Sequence, residues 1–197
     1  MKFIKPKFIT AYLLLSLSGI GSAMASIPGM KGPEHIGFTV PRMTEAVEFF
    51  VEIMGCDPFY QLGPFADEKG DWMATHLNVH PRATIPAIQL LRCGNGSNLE
   101  LFEYTAPGQN KQPATNSDVA GHHIGFYVEN MDAAVTYLKN QGIRVLGEPS
   151  VMTSGPSAGE SWVYFLAPWG MQLELVSYPN GKAYEKDTDR RLFAPNK

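Results

Sequence analysis

Four residues in this chain have the types and spacing to do chemistry together: His35, Glu100, His123 and Glu174. Each sits among large apolar neighbours, His35 in HIGFTV, Glu100 in NLELFEY, His123 in HIGFYV and Glu174 in QLELVSY. A carboxylate set between leucines, twice over, is costly to bury unless something compensates its charge. A divalent cation would do so. Two imidazoles and two carboxylates make an N/O donor set suited to one Zn, Ni, Co, Mn or Fe(II) ion. Ligation by these side chains alone would leave positions open for water or substrate oxygens. One such residue on an amphipathic strand is ordinary surface design. Its recurrence at matching places is not.

The recurrence extends well beyond the four. Aligning His35 with His123 also aligns Ile36, Gly37, Phe38 and Val40 with Ile124, Gly125, Phe126 and Val128. Such internal repetition marks one structural unit used twice. Alternation of Ile36, Phe38 and Val40 with His35, Gly37 and Thr39 predicts a strand. A helix follows, with Thr44 as N-cap and with Met43, Val47, Phe50 and Met54 at helical spacing. Further strands are expected over 58–62, 72–79, 85–92 and 98–104. The second unit repeats this with a strand over 122–129, a helix carrying Met131, Val135 and Leu138, and strands over 143–146, 162–166 and 171–178. Residues 148–160 read as a long polar loop of the kind that lines a site. The first copy holds 14 more residues between its His and Glu, expected within 61–86. The pattern is an α+β chain of two tandem βαβββ modules. Each module has one uncovered sheet face, and the two faces would line a shared cleft.

The boundaries follow from composition. Residues 1–25 have a basic start (Lys2, Lys5, Lys7), a short apolar run and a small-residue cleavage pattern ending at Ala25, the anatomy of a secretory signal. The apolar run is shorter than the roughly 20 residues a membrane helix needs. The expectation is a cleaved signal peptide and a periplasmic or secreted protein, with no membrane association after cleavage. Modules are expected over 26–105 and 121–179, joined by a Pro-, Gly-, Asn- and Gln-rich linker over 106–120, with a charged tail over 180–197. The signal segment holds three of the sixteen basic residues and none of the nineteen acidic ones, so the mature chain is the more acidic part. That balance argues against a nucleic-acid partner. Cys56 and Cys93 could pair in an oxidising compartment or lie buried apart.

HIGFTV, LELFEY, HIGFYV and QLELVSY resemble the ligand strands of the vicinal oxygen chelate superfamily, over about residues 34–179. That superfamily includes glyoxalase I, methylmalonyl-CoA epimerase, extradiol dioxygenases, and the fosfomycin and bleomycin resistance proteins. The resemblance implies a glyoxalase-like fold with His35, Glu100, His123 and Glu174 as metal ligands. Retention of all four resembles glyoxalase I rather than the three-ligand dioxygenase pattern. It implies a lyase or isomerase acting on a small substrate held through neighbouring oxygens. Glu174 would be the proton-transferring carboxylate, with Glu100 the other candidate. Thr39 and Tyr104 stand where glutathione-using members carry Arg and Asn, which speaks against glutathione. Phe102, Tyr104, Phe126, Trp162 and Tyr164 are candidates for an aromatic pocket wall, and Arg92 for an anion contact. An Fe(II) extradiol-type dioxygenase and a metal-free binding protein for a drug or aromatic ligand are the alternatives. Pairing of such modules across chains makes a homodimer an expectation too.

Overall fold

The computed structural model describes residues 27–196, and the expected signal segment lies outside them. The chain divides into a unit ending at Gly32 and a unit from Pro33 onward. Of the first, residues 27–32 are described and hold one turn, closed by the Met30 N–H donating to the Ile27 carbonyl at 3.2 Å.

The second unit carries the βαβββ plan twice. The first copy runs β1 (His35–Val40), α1 (Met43–Glu48) continuing as a π-helical turn (Phe49–Ile53), and β2 (Asp57–Leu62). It goes on through β3 (Phe65–Ala66), α2 (Trp72–Leu77), β4 (Thr84–Arg92) and β5 (Asn98–Thr105). The second copy is leaner: β6 (Ile124–Tyr127), α3 (Met131–Asn140), β7 (Arg144–Val151), β8 (Ser161–Leu166) and β9 (Gln172–Ser177). The sheet orders are β1-β5-β4-β2, with the short β3 also on β4, and β6-β9-β8-β7. In both sheets the first and last strands lie side by side and parallel.

Alternation decides which face is covered. Leu99 and Leu101 of β5, and Leu173 and Leu175 of β9, point into a core that also takes Met43, Ala46 and Phe50 near α1 and Met131, Val135 and Leu138 of α3. Both helix-covered faces share this one core. Phe49 and Phe50 pack on Trp169 of the β8–β9 turn, with ring centroids 5.6 and 6.1 Å apart, and Tyr137 Oη donates to the Ile53 carbonyl at 3.0 Å. The opposite faces, carrying Glu100 and Glu174, therefore look away from the shared core.

Several expected elements differ. Of residues 72–79, expected as a strand, Trp72–Leu77 form α2 instead. Over so short a stretch, Met73 and Leu77 fit a helical repeat as well as an alternation, and burial on Ile85, Ile88, Phe102 and Tyr104 selects the helix. The extra residues of the first copy thus fold back over its otherwise open face. Asp67 anchors them by accepting from the N–H groups of Lys69, Gly70 and Trp72 at 2.7–3.1 Å, and Arg82 donates to the carbonyls of Asp67 and Gly70. α1 begins at Met43 rather than after Thr44, because Glu103 of β5 accepts the Met43 N–H at 2.7 Å. β7 runs on to Val151 past an irregularity between Leu146 and Ser150, which shortens the expected polar loop. Cys56 and Cys93 are joined in a disulfide, with Cα atoms 4.2 Å apart. The tail wraps the body: Ala183 and Tyr184 N–H groups donate to the carbonyls of Ala158 and Pro156, and Asn196 reaches the Tyr127 hydroxyl at 3.0 Å.

Candidate metal centre

The parallel pairing of first and last strands is what lets each His meet its Glu. Gly37 lies opposite Glu100 and Gly125 opposite Glu174. With no side chain on the glycine, the carboxylate lies across the neighbouring strand towards the His two residues earlier. Glu100 Oε2 stands 3.1 Å from His35 Nε2, and Glu174 Oε2 stands 3.3 Å from His123 Nε2. A Cβ on Gly125 would come within 3.2 Å of Glu174 Oε2, and one on Gly37 within 3.6 Å of Glu100 Oε2. His35 is the first residue of β1, whereas His123 sits just before β6, which is shorter than the strand expected over 122–129.

The remaining ring nitrogens are engaged as well. His35 Nδ1 is 2.6 Å from Glu34 Oε2, and the other Glu34 oxygen accepts from Asn98 Nδ2 at 2.6 Å. His123 Nδ1 is 3.3 Å from Asn116 Oδ1 in the linker. A neutral imidazole has a single N–H. With Nδ1 donating outward, each ring turns a lone pair on Nε2 towards a carboxylate, an arrangement that calls for a proton or a cation between them. The hydrogen bond to Glu34 raises the proton affinity of His35, burial works against this, and Glu100 adds to it. The same contact with His35, followed by that with Asn98, holds Glu34 below the usual carboxylate range. Burial pushes Glu174 up. His123 opposes the rise, Glu160 adds to it and Lys182 lowers it.

These features fit a divalent cation. Ligands about 2.1 Å from a metal stand roughly 3.0–3.4 Å apart in octahedral to tetrahedral geometry, and the two pairs fall at 3.1 and 3.3 Å. An outer oxygen on Nδ1 is the usual way of fixing the tautomer of a metal-binding His. The four residues nevertheless stand as two pairs. Among the described residues no group of three or more His, Cys, Asp or Glu within the chain is arranged to hold a metal ion. Two cavities, of about 550 and 640 Å³, lie beside α1 and under the linker, and none of the four lines either.

The family model described as the Glyoxalase/Bleomycin resistance protein/Dioxygenase superfamily matches residues 34–165. The chain belongs to this superfamily. A curated superfamily relative from Actinomyces sp, named 2-epi-5-epi-valiolone epimerase, is 49% identical over 170 residues, covering 86% of this chain and 91% of that protein. Among solved structures, a glyoxalase family protein from Bacillus cereus is similar with a TM-score of 0.56 and 20% identity, covering 79% of this chain and 97% of that one. Another, from Enterococcus faecalis, has a TM-score of 0.52 at 20% identity, covering 75% and 98%. These two likenesses concern the glyoxalase-like fold.

Within that fold the expected aromatic wall divides. Phe102 and Tyr104 stack at 5.5 Å beside α2, while Trp162, Tyr164 and His123 form a connected row with centroids 5.2 and 5.0 Å apart. Phe126 packs against the core and leaves the wall. Burial raises the hydroxyl pKa of Tyr104 and of Tyr164, and the neighbouring Glu100 and Glu174 respectively add to it. His122 turns to the Ala120 carbonyl and the linker cavity, in keeping with its opposite parity. His76 stacks on Trp72 within α2, His80 lies in the turn that follows, and Arg92 is exposed at the end of β4. Glu34 and Asn116 are the residues sequence reasoning missed. Glu34 adjoins its His and was within reach, but Asn116 lies in a stretch whose composition speaks only of a linker.

Proposed function

We propose that this chain is a metal-dependent epimerase that moves a proton at the carbon next to the carbonyl of a small hydroxy ketone. The observation that carries this reading is the duplicated His–Glu pair, each His fixed through Nδ1 and facing its carboxylate through Nε2. The 49% identical relative is named an epimerase of 2-epi-5-epi-valiolone, a ketone by its name, and this supports the substrate class.

His35, Glu100, His123 and Glu174 would hold one divalent ion. Bound there, it would accept the ketone oxygen and a neighbouring hydroxyl oxygen and so acidify the C–H beside them. Epimerisation needs a proton taken from one face of that carbon and another delivered to the opposite face. Glu174, whose proton affinity burial already raises, is suited to take it. Glu100, from the other module, is suited to the reverse face. Since each pair looks away from the common core, we propose that a homodimer brings the His35–Glu100 pair of one chain against the His123–Glu174 pair of its partner. The open faces would then line the shared cleft. Export is part of the same proposal, supported by the signal-like start and by the Cys56–Cys93 disulfide.

The test pairs elemental analysis with proton exchange in D2O. Expected are one divalent metal per chain, lost in His123→Ala, and deuterium entering the carbon beside the carbonyl of 2-epi-5-epi-valiolone as its epimer forms. A protein that takes up no metal after reloading, or that incorporates no deuterium, refutes the reading.

A further inference from the structure

The open face of the second sheet continues past the His123–Glu174 pair into charged residues that the proton transfer does not use. Tyr164 lies opposite Glu174 in register, and Trp162 follows two residues back on the same face of β8. The parity that exposes Tyr164 and Trp162 to this face also brings Glu160, just before the strand, to it. There Glu160 pairs directly with the Lys182 ammonium. The side chains of Lys182 and Glu160 are only 19% and 15% exposed, so this is no loose surface contact. Along β8, Glu160 stands two residues before Trp162 and four before Tyr164, the residue in register with Glu174, so the pair lies on the same face as the candidate centre and further along the strand.

The pair is built from two crossing segments. The tail lies on the β7–β8 loop through Ala183 N–H to the Ala158 carbonyl and Tyr184 N–H to the Pro156 carbonyl, both 2.9 Å. At the crossing, a Cβ on Gly159 would stand 2.8 Å from the Gly181 carbonyl oxygen, and the φ of +99° at Gly159 also favours glycine. Lys182 is further held 4.3 Å above the Tyr178 ring. A largely buried ion pair gains little net stability for its desolvation, so stability alone is a weak reason for this construction.

We propose that Glu160 and Lys182, with Trp162 and Tyr164 as the floor leading to His123 and Glu174, form a subsite for hydroxyl groups remote from the reacting carbon. An ammonium has three N–H donors and a carboxylate about four lone-pair positions. After pairing, both keep capacity, so donor and acceptor stand side by side as neighbouring hydroxyls require. The two aromatic rings, tilted 57° to each other, offer apolar surface to the C–H groups of a saturated ring. The subsite thus selects a polyhydroxylated ring over a bare hydroxy ketone, and its role rests on the epimerase reading above.

The experiment compares wild type, Lys182→Met and Glu160→Gln on 2-epi-5-epi-valiolone and on 2-hydroxycyclohexanone, which lacks remote hydroxyls. Myo-inositol binding by calorimetry serves as a readout independent of turnover. With folding checked by circular dichroism, each variant is expected to raise KM for 2-epi-5-epi-valiolone roughly tenfold, the loss of about one hydrogen bond to a charged group. The expected kcat changes less than about threefold, and KM for 2-hydroxycyclohexanone stays unchanged. Equal effects on the two ketones, or no effect on either, overturn the subsite. If wild type turns over neither ketone, the epimerase reading fails and calorimetry decides the subsite. Myo-inositol binding weakened roughly tenfold in the variants then supports it, and equal or absent binding overturns it. Should Lys182→Met not fold, Glu160→Gln, which keeps the side-chain shape, carries the same comparison.

Discussion

Replacing Glu174 by Gln keeps the side chain's shape and removes its capacity to take a proton. Turnover is expected to fall by about 10²–10⁴, the usual worth of a positioned general base, with the melting temperature retained. Glu100→Gln should act similarly if it serves the opposite face, and deuterium exchange without epimer formation would distinguish the two roles. His35 offers a pH test. Its folded pKa lies above the ordinary 6.5, chiefly through the hydrogen bond to Glu34. A raised His value means that this contact favours the fold fully below the unfolded pKa, and that its contribution is lost as pH rises through the folded one. NMR of the metal-free protein should show His35 titrating above 6.5, and adding Zn(II) should abolish that titration because the cation replaces the proton on Nε2. Unchanged titration with Zn(II) present would count against His35 as a ligand.

At the scale of strands, the decisive contact is glycine against carboxylate. Gly125→Ala would set a methyl 3.2 Å from Glu174 Oε2 and press it out of line with His123. The strand should still form, since alanine suits extended backbone. Activity should fall, but by less than the roughly 10²-fold that a misplacement of about 1 Å costs, because a contact of 3.2 Å displaces the carboxylate only slightly. A fully active Gly125→Ala protein would show that Glu174 need not lie over β6. The inserted segment works at the same scale. By laying α2 on β4 and β5 it backs the aromatic pair Phe102–Tyr104 on the Glu100 side with apolar residues, whereas on the Glu174 side the aromatic row of Trp162 and Tyr164 runs on to the Glu160–Lys182 ion pair. The two halves of the proposed cleft therefore differ in character, which suits a substrate that must bind in one orientation.

Two predictions belong to the whole molecule. The Cys56–Cys93 disulfide closes a sequence separation of 37 residues, tying the end of the π-helical turn to the end of β4. Cys56→Ser with Cys93→Ser should lower stability by about 4 kcal/mol from loop closure, read as a lower midpoint in denaturant. The second concerns the pairing of chains. If each centre draws His35 from one chain and His123 from its partner, mixed dimers of His35→Ala and His123→Ala chains carry one intact centre and one lacking both histidines. Activity should reappear on mixing two inactive proteins. No recovery, with mixed dimers shown by mass, would place both pairs of a centre in one chain.

The sequence alone was enough for the module, its duplication and its four candidate ligands. Alternation fixes strand parity, and a polar residue repeated at one parity in two copies reports a shared face. The glycine two residues after each His was visible as well, although its purpose became clear only from the parallel register that sets it opposite a Glu. Tertiary structure decided what depends on segments distant in sequence. Met73 and Leu77 became helical because Ile85, Ile88 and Phe102 were there to cover, a choice that local pattern leaves open over six residues. Asn116 reaches His123 from a linker, and Lys182 reaches Glu160 from a tail, segments whose compositions carry no periodicity. The pairing of the four candidate ligands two by two also follows from packing, because one core between the helix-covered faces turns both open faces outward.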